Sequence, residues 1–475
     1  MPIVLLQALT CMAEITPGQV MDNNRPVVNS GALAEFISRK VPEFSWEVLG
    51  GQKQNGVNVI HLSMTSQSWS PAGLKFTPAL WQHRITVVVP DGYQTDKPAI
   101  LHVTGGSRNT RDNIRGYEGL DQLDLAALAR DTGTLVAEIK DVPNQYLFIE
   151  GESPRKEDEI IARSWAAFLK DPTCTDCPVQ LPMTRAIVKA MDVVQALMSD
   201  KAPESFIVTG GSKRGWVTWL TAAVDSRVVA IAPMVIDVLN VQQSLDHLKR
   251  VYGHWIPPLQ PYMAEGQNVI DQLHTPAMHR LMELVDPFSY RRYLTLPKYV
   301  ITASGDDFFP PDGTRHYWSD LDGTKLLRTY PNSRHYIYRE DAQRVTDTIS
   351  SFVGYILQGK EFPSLDTEKL SASGGELMAS EKPVRVTLWQ AVNPNARDFR
   401  KTTLQPLGES YKSSDLKAWC TEVKYNKAFV RCSIDVDIKP PASGYKAWFV
   451  ELAFENGSLP DLVLTTPVEI LGAGS

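Results

Sequence analysis

The sequence predicts an α/β fold with a mainly parallel sheet, followed by a smaller all-β domain. Three observations support this prediction: short apolar runs alternate with helix-period segments, two helical segments interrupt that alternation, and polar–apolar alternation takes over near the C-terminus. Nearly continuous apolar runs are typical of strands buried on both faces, and strands that alternate with helices form parallel sheets.

The apolar, β-branched runs of the first part of the chain are the predicted strands of this sheet. They lie at residues 84–89, 99–103, 135–139, 206–209, 228–236 and 298–303, with a shorter run at 326–330. Apolar residues recur with helical spacing at 120–130, 184–198 and 213–223. We therefore expect an α/β domain over residues 81–370, with an N-terminal segment, residues 1–80, packed on it.

Two segments do not fit the strand–helix alternation and are predicted to be helical excursions. One lies near residues 145–182, and the other, at 240–296, is expected to act as a cap. From residue 378 to the end, at 475, several runs alternate apolar and polar residues. This pattern predicts a C-terminal β-sandwich-like domain over 378–475.

Composition and charge exclude several classes of protein. The 475 residues exceed what one hydrophobic core usually serves. The net charge of −6 and the lack of a long basic block exclude nucleic acid as a partner. No run of about 18 apolar residues is present, so no membrane span is predicted. No HExxH or comparable ligand cluster occurs, so we expect neither metal nor cofactor, and a small molecule or peptide as substrate. The oligomeric state stays open.

The N-terminus and the cysteines suggest export. Residues 1–13, MPIVLLQALTCMA, resemble the end of a signal-peptide core but lack its basic leader. Two local disulfides, Cys174 with Cys177 and Cys420 with Cys432, would suit a secreted or periplasmic protein and leave Cys11 unpaired. Five free thiols in a reducing compartment are the alternative.

The segment FIVTGGSKRGWVTW, residues 206–219, predicts a nucleophilic serine. A strand-to-helix turn of this kind strains the backbone of the serine and exposes its hydroxyl, and the tight turn requires small residues on either side. Gly210 and Gly215 meet this requirement around Ser212, in the pattern GxSxxG. A glycine turn that binds phosphate or only reverses the chain is the alternative.

Candidate acids follow Ser212 in the order that this kind of site requires. The predicted strand at 298–303 ends near Asp306 and Asp307. Either carboxylate would accept the proton on His Nδ1, which fixes the tautomer. We favour Asp306, with Asp307 as the alternative acid. Asp237, at the end of the 228–236 run, is a third candidate, and it could instead cap the helical excursion.

His335 is the candidate general base, because it follows the short strand at 326–330 and comes after the acid in the chain. His316 is the competitor, but it lies so close behind the acidic pair that local packing is its more common role. Lys213 and Gly106 are the candidate oxyanion-hole residues, through their backbone N–H groups, and Ser107 is the alternative to Gly106. A plain glycine turn at the end of the 99–103 strand is the alternative for Gly106.

Longer motifs resemble a known family. They are TSQSW, WQH, HVTGG, VPNQ, LPMTRAIVKAMD, TGGSKRGW, GDDFFPPD, PNSRH and LWQAVNPNARDFR. These segments, over roughly residues 60–455, resemble the PhoPQ-activated pathogenicity-related protein family and the related autocrine proliferation repressor group. The resemblance implies an α/β-hydrolase domain with a C-terminal β domain, export, and serine hydrolase activity. The family commonly has Glu where this chain has Asp307, which supports Asp306 as the acid.

The sequence therefore predicts a serine hydrolase that acts on an acyl ester or a peptide-type bond through Ser212, His335 and Asp306. The motifs do not distinguish an esterase from a peptidase. The alternative function is a secreted signalling or binding protein that keeps a hydrolase scaffold with little or no catalysis, because a fold alone does not fix a function.

Overall fold

The structure, a computed structural model, describes residues 26–71, 74–107, 123–264, 266, 268–400, 402–412, 420–422 and 430–474. Over these ranges the chain forms a nine-stranded mixed sheet flanked by helices, and two smaller antiparallel sheets in its C-terminal part. The α/β fold with an all-β C-terminal region that the sequence predicts is confirmed.

The large sheet places the loops that matter for function on one edge. Its strands are β1 (Ser45–Gln54), β2 (Val57–Ser68), β3 (Leu80–Pro90), β4 (Ala99–Val103), β5 (Val136–Ile139), β6 (Phe206–Gly211), β7 (Val228–Met234), β8 (Lys298–Ala303) and β9 (Lys325–Tyr330). Their spatial order is β1-β2-β3-β5-β4-β6-β7-β8-β9. The pairs from β1 to β5 along this order are antiparallel, and those from β5 to β9 are parallel. The carboxyl ends of the parallel strands therefore share one edge, where ligands of open α/β sheets bind.

The helices flank this sheet and also form the excursions. They are α1 (Ala32–Ser38), α2 (Leu125–Thr132), α3 (Asp158–Lys170), α4 (Gln180–Met198), α5 (Lys213–Val224), α6 (Val241–Tyr252), α7 (Gln260–Met263), α8 (Pro276–Val285) and α9 (Ile337–Leu357). Short 3₁₀ turns lie at Ser199–Lys201, Pro257–Leu259, Ile270–Gln272, Pro287–Tyr293, Gly313–His316 and Trp318–Asp320. Within the ranges given above, none of the helices has the length and apolar character needed to cross a membrane.

The C-terminal strands form two antiparallel sheets. They are β10 (Leu365–Asp366), β11 (Leu370–Ser371), β12 (Gly374–Ala379), β13 (Arg385–Asn393), β14 (Gln405–Lys412), β15 (Cys420–Glu422), β16 (Val430–Asp437), β17 (Tyr445–Phe454), β18 (Leu462–Thr465) and β19 (Glu469–Gly472). One sheet has the order β10-β12-β16-β15 with β11 beside β12, and the other has the order β14-β13-β17-β18 with β19 beside β17.

Burial explains why the central strands form where they do. Every residue of β4, β6 and β8 is buried, as expected for parallel strands covered on both faces. A second apolar cluster joins α9 to the C-terminal strands through residues such as Phe352, Leu377, Trp448 and Leu464. The C-terminal sheets thus share a core with one face of the large sheet.

The expected disulfide between Cys174 and Cys177 is formed, in the turn between α3 and α4. The backbone of Cys420 lies directly opposite that of Cys432 in the β15–β16 ladder, which is the placement that a bridge across a hairpin needs. Cys11 lies outside the described residues.

Candidate active site

The turn between β6 and α5 holds Ser212 in a strained backbone conformation. Its φ of 54° and ψ of −130° lie in a region that non-glycine residues rarely adopt, and its N–H donates a hydrogen bond to Met234 O at 2.8 Å. The turn closes tightly, because a Cβ on Gly215 would lie 2.7 Å from Gly210 O and 2.7 Å from Ile236 Cγ2. Gly215 is therefore required by close packing in this turn.

Ser212, His335 and Asp306 form a continuous chain of hydrogen bonds. Ser212 Oγ lies 2.9 Å from His335 Nε2, and His335 Nδ1 lies 3.0 Å from both carboxylate oxygens of Asp306. His335 is 4% exposed and Asp306 is 3% exposed. The N–H of Phe308 also donates to Asp306 Oδ1 at 2.7 Å, and the Phe308 ring lies 4.2 Å from the imidazole. These contacts fix the carboxylate and the plane of the ring.

The competing residues lie elsewhere. Asp307 accepts two hydrogen bonds from Arg334 at the surface, at 2.8 and 3.0 Å. Asp237 accepts a hydrogen bond from the Tyr317 hydroxyl. His316 packs against another imidazole, and burial lowers its pKa to about 4. Of the acids considered from the sequence, Asp306 is the one that contacts His335.

The contacts that hold the histidine loop could not be predicted from the sequence. Asn332, three residues before His335, makes two hydrogen bonds to the backbone of Leu404 through its side-chain amide. Asn332 Nδ2 donates to Leu404 O at 3.0 Å, and Leu404 N donates to Asn332 Oδ1 at 2.6 Å. Gly305 N donates to Ser333 O at 2.9 Å, which ties the acid loop to the same segment. A stretch of chain 72 residues beyond Asn332 therefore supports His335.

The candidate oxyanion residues lie at the start of α5 and in the loop after β4. Lys213 is the first residue of α5, so its backbone N–H has no partner within the helix and lies at the positive end of the helix dipole. Gly106 follows β4, the strand that pairs with β6, and has a φ of +135°. A Cβ there would lie 2.5 Å from Asp141 Oδ1, so the site requires glycine. The Gly106 carbonyl accepts from Gln145 Nε2 at 2.9 Å.

A buried ion cluster next to Ser212 also went unrecognised in the sequence. Glu157 Oε1 and Oε2 accept from Arg214 Nη2 and Nη1 at 2.6 and 2.9 Å, and Lys213 Nζ lies 2.8 Å from Glu157 Oε2 and 3.2 Å from Asp158 Oδ2. Burial alone would raise the pKa of Glu157, but Arg214 and Lys213 hold it well below its usual range.

Arg214 links this cluster to the loop after β4. Its Nε donates to Val142 O at 2.5 Å, and a Cβ on Gly105 would lie 2.5 Å from its Nη2. Two adjacent cations at the buried start of a helix, Lys213 and Arg214, need a carboxylate partner. The acidic run at 157–159 was the feature of the sequence that could have indicated this partner.

An apolar cavity opens beside Ser212. Its walls come from α3, α5, α6, α7 and α8 and from the segment after β8. They include Ile161, Trp165, Trp216, Leu248, Met278 and Phe309. The cavity leaves about 90 Å³ for the centres of water-sized molecules, several times what a single water needs. It therefore has room for an alkyl or acyl chain next to the serine hydroxyl.

Sheet order and the placement of these residues define the class of protein. A mainly parallel sheet with Ser212 after β6, Asp306 after β8 and His335 after β9 is the arrangement of an α/β-hydrolase fold. The profile of the PhoPQ-activated pathogenicity-related protein family matches residues 33–400. The chain belongs to that family.

The chain is also similar to several individual proteins. Autocrine proliferation repressor protein A of Dictyostelium discoideum is 30% identical over 445 residues, which cover 90% of this chain and 86% of that protein. Acetyl esterase Axe7A of Xylanibacter ruminicola is 24% identical over 155 residues, 33% of this chain and 32% of that protein. Among solved structures, an acetyl xylan esterase from Paenibacillus sp. R4 has a TM-score of 0.45 and 15% identity, covering 66% of this chain and 91% of that one.

Proposed function

We propose that this chain is a serine hydrolase that cleaves an acyl ester or a peptide-type bond through an acyl-enzyme. The observation that supports this most is the hydrogen-bonded chain from Ser212 Oγ through His335 to Asp306, with the serine on a strained turn beside a cavity. A buried serine–histidine pair serving only structure would need neither the strain nor the cavity.

The proposed reaction uses these residues in two steps. His335 Nε2 takes the Ser212 proton while Oγ bonds to the acyl carbon, and the same proton then passes to the leaving group as its bond to that carbon breaks. Water, deprotonated by His335, then attacks the acyl carbon. The bond between that carbon and Ser212 Oγ breaks as His335 returns the proton to Oγ, which releases the acid and restores Ser212. Asp306 holds Nδ1–H and stabilises the imidazolium. The N–H groups of Lys213 and Gly106 are proposed to bind the oxyanion.

Two further points extend this proposal. The relatedness to an acetyl esterase over a third of the chain favours an ester over a peptide substrate. The Cys174–Cys177 bridge favours an oxidising compartment, and hence a secreted or periplasmic location. The oligomeric state stays open.

The alternative function is a secreted signalling or binding protein on a hydrolase scaffold. The name of the relative with 30% identity, autocrine proliferation repressor protein A, is the observation that favours it. In that case the protein would act without turnover, and Ser212 would be dispensable.

Kinetics on a simple ester separate the two functions. We expect the protein to hydrolyse p-nitrophenyl acetate and Ser212→Ala to lose at least about three orders of magnitude in kcat. Ser38→Ala, an exposed serine at the end of α1, is the matched control and should keep full activity. Equal rates for Ser212→Ala and the unaltered protein would exclude the acyl-enzyme.

A further inference from the structure

A buried carboxyl, Asp237, borders the cavity beside Ser212. It follows β7 and is 4% exposed. The buried hydroxyl of Tyr317 donates to its Oδ1. Oδ2 accepts no hydrogen bond from the residues that the structure describes. Gly313, which also lines the cavity, makes room for it, because a Cβ there would lie 2.1 Å from Oδ2.

Asp237 differs from the neighbouring acids because no described residue places a cation beside it. Asp306 is bonded to His335, and Asp312 accepts from Arg397 at 2.5 and 3.2 Å. By contrast, no nitrogen of a described Lys, Arg or His side chain lies within 4.0 Å of the Asp237 carboxyl. Burial, together with the charges of Asp306 and Asp312, raises the pKa of Asp237 to about 7. The surroundings of Oδ2 thus favour a positive charge in the cavity.

The rest of the cavity suits an aliphatic chain. Trp165, Trp216, Leu248 and Met278 line it, and most of its surface is apolar. Lys213, the cation on its wall, is already held by Glu157 and Asp158. A ligand with an apolar chain and one cationic end would bury the chain against these walls and bring the charge that Asp237 lacks.

We propose that the cavity beside Ser212 binds an aliphatic ammonium group, with the apolar walls holding the alkyl chain and Asp237 Oδ2 accepting a hydrogen bond from the ammonium. This extends the proposed hydrolase function: the substrate is an ester or amide whose buried part carries an amine.

Calorimetric titration of Ser212→Ala tests the site without requiring turnover. The probes are n-butylammonium and n-hexylammonium, each paired with the alcohol of equal chain length. We expect each ammonium to bind at least about ten-fold more tightly than its alcohol, because a charge-assisted hydrogen bond is stronger than a neutral one. Adding Asp237→Asn should remove that preference and leave the affinity for the alcohols unchanged. Asn keeps an oxygen for the Tyr317 hydroxyl, so alcohol binding also reports that the cavity is intact.

Each result decides the proposal. Equal affinity for ammonium and alcohol in Ser212→Ala, or a preference for ammonium that survives Asp237→Asn, overturns it. An ammonium preference that depends on Asp237 supports the site even if the unaltered protein hydrolyses no ester, so this outcome is separate from that of the hydrolase proposal. If both hold, the unaltered protein should hydrolyse p-nitrophenyl 6-aminohexanoate with a higher kcat/KM than p-nitrophenyl hexanoate.

Discussion

Replacing Asp306 by Asn should remove most of the proposed activity, and the structure indicates why. Oδ1 of Asp306 is already engaged by the Phe308 N–H, so an Asn side chain would keep its oxygen there and turn its NH₂ toward His335 Nδ1. The imidazole would then carry its proton on Nε2, where it cannot accept the proton of Ser212. The side chain is 3% exposed, so water has little access to replace the carboxylate. We expect kcat to fall by about four orders of magnitude, or about 5.4 kcal/mol in the barrier.

Asp307→Asn is the matched control, because it makes the same chemical change one residue away. The Asp307 side chain is 26% exposed and pairs with Arg334, whose side chain is 61% exposed. Such surface pairs contribute about 0–1 kcal/mol to stability. Because the Asp307 carboxylate is bonded to Arg334 and not to His335, kcat should change by less than about five-fold. Hydrolysis of p-nitrophenyl acetate by both variants, with circular dichroism to verify folding, makes the comparison. Retention of more than a tenth of kcat in Asp306→Asn, or equal losses in both variants, would refute this assignment of roles.

Three further predictions concern the surroundings of the site. Glu157→Gln should lower the free energy of unfolding by about 3 kcal/mol in urea titrations, because Arg214 loses its buried partner; an unchanged value would contradict the role of the ion cluster. Gly215→Ala should cost about 1–3 kcal/mol and reduce kcat, because its Cβ would lie 2.7 Å from Gly210 O; full activity would argue against the tight turn. The pKa of Asp237 is about 7 in the folded protein, against an ordinary value of 3.8, so Asp237 ionises at lower pH in the unfolded chain than in the folded one. The contribution of Asp237 to stability therefore falls as pH rises from about 4 to 7. Asp237→Asn should therefore gain stability relative to the unaltered protein across that window, and a constant difference would contradict the raised pKa.

Much of the central sheet was predictable because its strands are buried on both faces. The runs at 99–103 and 298–303 coincide with β4 and β8. β1 and β2 were not predicted as strands of this sheet. β1 is exposed along almost its whole length, so its sequence shows little of the apolar pattern that predicts a buried strand. β2 does alternate in burial, but polar residues such as Ser66 and Gln67 occupy some of its buried positions.

The candidate site was predictable where local geometry dictates residue type. The turn around Ser212 requires glycines, and the order of serine, acid and histidine follows from the fold. The residues favoured Asp306 over Asp307 without deciding between them, because both are carboxylates and only the turn after β8 determines which one faces His335. The bond between Asn332 and Leu404 was beyond sequence reasoning, since it joins two loops whose contact depends on how the C-terminal sheets pack.

The covalent state of Ser212 is the most direct test of the proposed mechanism. The protein is treated with a fluorophosphonate, digested, and the modified residue is located by mass spectrometry. We predict a stoichiometric phosphonyl adduct on the peptide that contains Ser212, and its loss in Ser212→Ala. An unmodified Ser212 in the folded protein, or an adduct located on another residue, would contradict the proposal that this serine is the nucleophile.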